Sequence, residues 1–215
     1  MNSVQYKGAI FDMDGTLLDS MSIWETAGAT YLKTFGITPN SDWREITRPM
    51  CMAQISTYFK DCYHLDVSYK EVADGMNQIV EDFYKKEAVV KPGVLSYLQK
   101  LKDSGCHICV ATATDRYLAE IALQKNGIMP YLDRIFTCSE VGHGKDEPII
   151  YQECAAYWGL KLSECCVYED ALYALQTAHD AGFPTIAVYD DSAKMQESVK
   201  KTICDRYILD FNELL

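Results

Sequence analysis

YKGAIFDMDGTLLDS, residues 6–20, begins as an apolar, strand-like run, Tyr6–Phe11, that stops abruptly at DMDGT. Asp12 and Asp14 therefore leave the end of a segment apolar enough to be buried. Ionised carboxylates in that position are costly unless a cation compensates them. A hard divalent ion with oxygen ligands is the natural compensation, and magnesium suits a site completed by water and a phosphate oxygen. Gly15 lets the backbone turn sharply away. A lone pair of aspartates capping a turn is the plainer interpretation of DxD. The apolar strand before it and Gly15-Thr16 after it favour the cation site.

Outward from this point the rhythm changes twice. Between about Ser20 and Ala88 apolar residues recur at helical spacing with almost no strand signal. Trp24, Ala27, Tyr31 and Phe35 form one such stripe; Ile55, Tyr58, Phe59 and Tyr63 form a second. Val72, Met76, Ile79, Val80 and Phe83 form a third. The spacing predicts a small all-helical insert of about four helices. Beyond Pro92-Gly93, predicted helices alternate with short β-rich runs: Val94–Lys102, CHICVAT, Asp115–Lys125, Arg134–Cys138, a polar loop SEVGHGKDE, and a helix opened by Pro148. CCVYED, Ala171–Ala181, PTIAVY, Ser192–Lys200 and the possible edge strand Arg206–Leu209 complete the series. Such alternation predicts an α/β fold with a mostly parallel sheet. Its ligands would sit beyond the carboxyl ends of the strands. Asp12-Asp14, Thr112, Lys145 and Glu169-Asp170 each fall at or just after such an end. The expected division is a Rossmann-like core of residues 1–18 and 90–215 with a cap of residues 19–89. Hinges are expected near Leu17–Ser20 and Val89–Gly93, where the chain crosses between them.

The formal net charge of -11 repels nucleic-acid backbones and anionic lipid surfaces. Neither nucleic acid nor membrane is expected as a partner, and no run of 18 apolar residues predicts a spanning helix. The N-terminal MNSVQYKGAIFDMDG lacks the long apolar region and cleavage site of a signal peptide. The nine cysteines are scattered, and Cys106 and Cys109 of the single CxxC lie in a predicted strand, on opposite faces. Buried free thiols in a cytoplasmic protein are the expectation.

DMDGTLLDS resembles the first motif of the haloacid dehalogenase superfamily, in its phosphatase and phosphomutase branch. The resemblance extends over nearly the whole chain, with four motifs in the family's order. It implies a Rossmann-like core with a helical cap and an enzyme that uses Mg2+ on a small phosphorylated metabolite, such as a sugar phosphate. Asp12 would be the nucleophile that forms an aspartyl-phosphate. Asp14 would be the acid for the leaving oxygen and then the base for water, lending its main-chain carbonyl to the metal. Thr112, with the backbone N–H groups near Ala113, would hold phosphoryl oxygens, and Lys145 would offset negative charge. Asp170 would complete the metal's carboxylates, with Glu169 behind it or acting through a metal-bound water. Ala171 and Ala174 stand where close relatives often have Ser and Gly, and Asp146 follows Lys145 where Pro is usual.

Specificity in this family resides mainly in the cap. Arg48, in ITRPMCMAQ near the start of a cap helix, suits an anionic substrate group, or else lies on a solvated face. Arg116 is a second candidate near the phosphate loop. Mutase relatives present Ser and Lys from the second-motif loop to a second phosphate, where this chain has Thr114-Asp115-Arg116. A phosphatase is the expectation, with a β-phosphoglucomutase-like mutase as the first alternative and a catalytically silent binding protein as the second. A monomer or weak homo-oligomer is expected.

Overall fold

The protein is described here by a computed structural model covering residues 6–48 and 50–215. Met1–Gln5, the first part of the segment read for a signal peptide, lie outside the described residues. Strand β1 (Gly8–Phe11) is the apolar run before the aspartates, and all of it is buried. Ala9 and Phe11 join the hydrophobic cluster on one face while Ile10 joins that on the other. Burial on both faces is what a central strand of a parallel sheet requires.

Strands β2 (Leu18–Asp19) and β3 (Val89–Val90) pair antiparallel as a short ribbon outside the main sheet. The other strands are β4 (His107–Thr112), β5 (Arg134–Thr137), β6 (Cys165–Glu169), β7 (Thr185–Val188) and β8 (Arg206–Ile208). The six-stranded sheet has the order β5-β4-β1-β6-β7-β8, all parallel, with β8 at an edge. The chain thus moves outward from β1 in one direction and then in the other. This is a Rossmann-like α/β order, and its ligand crevice lies where the order reverses, above β1.

Four helices lie between β2 and β3: α1 (Met21–Lys33), α2 (Trp43–Thr47), α3 (Met52–Cys62) and α4 (Tyr69–Lys86). A reciprocal cap starts α4: Glu71 N donates to Ser68 Oγ at 3.2 Å, and Ser68 N donates to the Glu71 carboxylate at 2.8 Å. Val72, Met76, Val80 and Tyr84 form its buried face. A Cβ at Gly75 would fall 2.3 Å from the Tyr31 ring, so the missing side chain lets α1 and α4 approach closely. Tyr31, Trp43, Ile55, Phe59, Val72 and Met76 give these helices a core of their own. Ile23, Ala27, Val80 and Tyr84 instead join the cluster on the sheet.

The remaining helices are α5 (Val94–Asp103), α6 (Arg116–Lys125), α7 (Cys138–Val141), α8 (Ile149–Trp158), α9 (Leu172–Asp180) and α10 (Glu197–Ile203). Three local expectations are corrected. β5 stops at Thr137, whose Oγ1 accepts from Glu140 N at 3.3 Å, so Cys138–Val141 is a helical turn and not part of a strand or loop. The segment from Ser192 is tighter 3₁₀ structure through Gln196, interrupted at Ala193, before α10 begins. Phe35 lies past the end of α1 and is exposed. The cysteines are free, and Cys106 and Cys109 belong to clusters on opposite faces of the sheet.

Candidate active site

Phe11 pairs with Val110 on β4 and with Tyr168 on β6. One residue further on, Asp12 therefore stands between the ends of those strands, level with Glu169. Gly15, at φ +84, turns the loop so tightly that a Cβ there would lie 2.6 Å from the Asp170 carboxylate. No side chain fits between the first and fourth motifs. Asp12, Asp14, Thr112, Ala113, Lys145, Glu169, Asp170 and Arg48 all line one cleft.

Lys145 reaches this point from the loop before α8 and is 3% exposed. Its ammonium donates to Asp12 Oδ1 and, at 2.8 Å, to Glu169 Oε2. Tyr151 OH donates to the same Glu169 oxygen at 3.1 Å, and Ala171 N donates to Oε1 at 3.1 Å. Glu169 is thus occupied by protein donors, while Asp12 has one oxygen held by Lys145 and Asp170 one held by Thr16 Oγ1 at 3.1 Å. Asp12, Glu169 and Asp170 each place a carboxylate oxygen within 4.8 Å of the others.

Three buried carboxylates facing one ammonium leave a negative excess. Burial alone would push Lys145 down, yet Asp12 and Glu169 more than offset this and hold its pKa well above the ordinary value. Burial and the facing Glu169 carboxylate raise Asp12 against the pull of Lys145. Burial, Glu169 and Asp190 push Asp170 up to about 7. An all-oxygen donor set with uncompensated negative charge fits magnesium. Asp12 and Asp170 each have an oxygen that could hold such an ion, whereas both oxygens of Glu169 accept from protein donors.

The Asp14 carboxylate is held by hydroxyls instead. Ser20 Oγ at 2.6 Å and Tyr84 OH at 2.7 Å donate to Oδ1, and Thr114 Oγ1 donates to Oδ2 at 2.7 Å. These donors fix its orientation at the cleft wall, outside the carboxylate cluster. Burial, then Asp14, raises the Tyr84 pKa well above its usual range, so the phenol stays a donor. Thr112 Oγ1 accepts from Thr114 N at 3.1 Å, which shapes the second-motif loop and leaves its own proton for a ligand.

Arg48 sits at the C-terminal end of α2, not the start of a helix, and its Nη2 lies 3.6 Å from Glu25. Arg116 is not brought to the cleft. Its guanidinium pairs with Glu140 and donates to the Ile135 carbonyl at 2.9 Å. His107 and His143 pair with Asp133 and Glu147, away from the cleft. Sequence reasoning missed Ser20, Tyr84, Thr114, Trp24, Arg44 and Tyr173. Two had a readable signal: Tyr84 follows Val80 by one turn on the buried stripe, and Arg44 precedes Arg48 by one turn. Tyr173 carried none, since its OH reaches the Arg48 carbonyl, 3.3 Å away, only through the tertiary fold.

The chain is 25% identical over 208 residues to a probable pseudouridine-5'-phosphatase of Drosophila melanogaster, covering 94% of this chain and 90% of that protein. It is 30% identical over 180 residues to the validoxylamine A 7'-phosphate phosphatase of Streptomyces hygroscopicus subsp. limoneus, covering 82% and 83%. The fold matches the crystal structure of CbbY from Rhodobacter sphaeroides in complex with phosphate, with a TM-score of 0.84 and 19% identity over 97% of this chain and 96% of that one. The family described as haloacid dehalogenase-like hydrolase matches residues 9–188. With that match spanning most of its length, the chain belongs to the haloacid dehalogenase-like hydrolases.

Proposed function

We propose that this hydrolase is a magnesium-dependent phosphatase of a small phosphorylated metabolite that works through an aspartyl-phosphate on Asp12. One observation carries the reading: a buried carboxylate, Asp12, is paired with a buried lysine at the sheet's ligand crevice, with Asp170 beside it and Asp14 two residues on. A carboxylate oxygen of Asp12 attacks phosphorus, and the bond from phosphorus to the ester oxygen breaks. Asp14 gives its proton to the departing oxygen, then takes one from the water that cleaves the acyl phosphate. Tyr84, Ser20 and Thr114 hold Asp14 in place for both transfers. Thr112 and the Ala113 region hold phosphoryl oxygens, and Lys145 keeps positive charge beside them. Asp12, Asp170 and the Asp14 carbonyl would hold magnesium, which when bound would add positive charge beside the phosphoryl group.

Residues 19–89 act as the cap over this core, and the β2–β3 ribbon is the proposed hinge. Arg48 is the proposed contact for an anionic substrate group. The mutase alternative needs a cation on the second-motif loop. Instead Asp115 accepts from Asn77 Nδ2 at 3.0 Å and Ser139 Oγ at 2.8 Å, while Arg116 is turned toward Glu140. That arrangement favours hydrolysis. The named relatives, which are phosphatases, support the same class.

Incubation with p-nitrophenyl phosphate and with hexose 1-phosphates tests the proposal. Free phosphate should appear with magnesium and stop on chelation. Hexose 6-phosphate as the product would make the protein a mutase, and inactivity on a broad panel of phosphate esters would make it a binding protein.

A further inference from the structure

Asp14 is held from separate parts of the chain. Ser20 lies just past β2, Tyr84 on α4 and Thr114 on the loop after β4, and Trp24 of α1 stands behind Tyr84. Trp24 and Tyr84 both belong to the helical insert, and Tyr84 is fully buried. An indole N–H only donates, and that of Trp24 is directed at the Tyr84 oxygen, with no other partner among the described residues. A phenol has a single proton. With Trp24 on a lone pair of its oxygen, Tyr84 points that proton at Asp14 Oδ1, 2.7 Å away, and not at Thr114 Oγ1, 3.4 Å away. Thr114 gives its own proton to Asp14 Oδ2 at 2.7 Å, and its N–H is tied to Thr112 Oγ1. Oδ1 therefore receives Ser20 and Tyr84, while Oδ2 receives Thr114 alone. Each carboxylate oxygen has about two acceptor positions. Oδ1 is full, and Oδ2 keeps one open.

We infer that the proton Asp14 moves in turnover sits on Oδ2, and that Tyr84, aimed by Trp24, is the positioning residue that keeps it off Oδ1. The inference rests on the phosphatase reading above and refines it. In the first half-reaction the Oδ2–H bond breaks as the ester oxygen takes the proton and its bond to phosphorus breaks. In the second, an O–H bond of water breaks and its proton returns to Oδ2. The water oxygen bonds to phosphorus, and the bond from phosphorus to the Asp12 carboxylate breaks. Without the Tyr84 hydroxyl an acceptor position opens on Oδ1, and a proton resting there is lost to the leaving group.

Rapid-quench measurement of the first half-reaction in a single turnover tests this, with magnesium and two esters of similar shape, phenyl phosphate and p-nitrophenyl phosphate. Phenolate is the poorer leaving group and depends on a proton from Asp14, whereas the nitro group lets nitrophenolate depart with little help. Tyr84→Phe removes the hydroxyl and keeps the ring that packs in the cluster on the sheet. The phenyl-to-nitrophenyl rate ratio should then fall about tenfold from the wild-type value, the scale of one hydrogen bond to a charged group. Trp24→Phe, which lets the Tyr84 proton turn toward Thr114, should lower the ratio about threefold. Each protein is its own reference, so unfolded material cancels from the ratio. A Tyr84→Phe ratio equal to that of wild type, whatever the absolute rates, overturns the inference and leaves the hydroxyl a structural group. So does a ratio that Trp24→Phe lowers further than Tyr84→Phe, since Trp24 acts through that hydroxyl. Wild-type protein that forms no phosphoenzyme from either ester would instead remove the phosphatase reading, and this inference with it.

Discussion

Replacing Asp12 by Asn should lower turnover of p-nitrophenyl phosphate by about 10,000-fold or more, the scale seen when a covalent nucleophile is removed. The amide keeps the volume of the carboxylate, so Lys145 and the strands around it need not move. What disappears is the oxygen nucleophile and one negative charge from a site that has an excess of it. Because that excess raises Asp12 and Asp170 together, the variant should fold at least as stably as wild type in metal-free buffer. The measurement is initial rate together with thermal melting in the presence of a chelator. Residual activity within about tenfold of wild type would remove Asp12 from the nucleophile's place.

Lys145→Ala should damage both activity and stability. The ammonium is 3% exposed and bridges Asp12 and Glu169. Its removal leaves those carboxylates, with Asp170, buried and without a protein cation between them. Breaking a buried pair in this way costs about 3–5 kcal/mol of stability. Turnover should fall about 1,000-fold, since charge on the phosphoryl group loses its fixed protein partner. Magnesium should restore part of the melting temperature and little of the rate, because it relieves carboxylate repulsion without placing an ammonium beside Asp12. Lys145→Arg should rescue poorly, since a planar guanidinium does not fit a pocket closed around a point charge. A Lys145→Ala protein that melts as wild type does in chelator would contradict the charge balance described here.

Strand ends were legible because three of the four motifs stand where an apolar run meets a polar one; Lys145 instead follows the helical turn Cys138–Val141 beyond β5. Tyr6–Phe11 before Asp12 and CHICVAT ending at Thr112 are cases where local pattern and tertiary position coincide. The helices of the insert were legible for the same reason: Val72, Met76 and Val80 repeat at the period of the helix they form. The hydroxyl cage around Asp14 was not. Ser20 lies in the quoted motif and Thr114 beside Thr112, but no periodicity states that their hydroxyls, with that of Tyr84, converge on one carboxylate. Arg116 shows the opposite failure. Proximity in sequence to the phosphate loop suggested a ligand contact, but the first turn of α6 points it at Glu140. Side-chain direction within a turn is fixed by packing, which sequence spacing alone does not specify.

The most direct test of the account is where phosphorus goes during turnover. Rapid acid quench of the enzyme acting on a radiolabelled phosphate ester should find covalent label on the protein, and borohydride reduction, which releases that phosphate, should on peptide mapping leave homoserine in place of Asp12. Label on another residue, or single-turnover hydrolysis with no enzyme-bound phosphate at all, would contradict it.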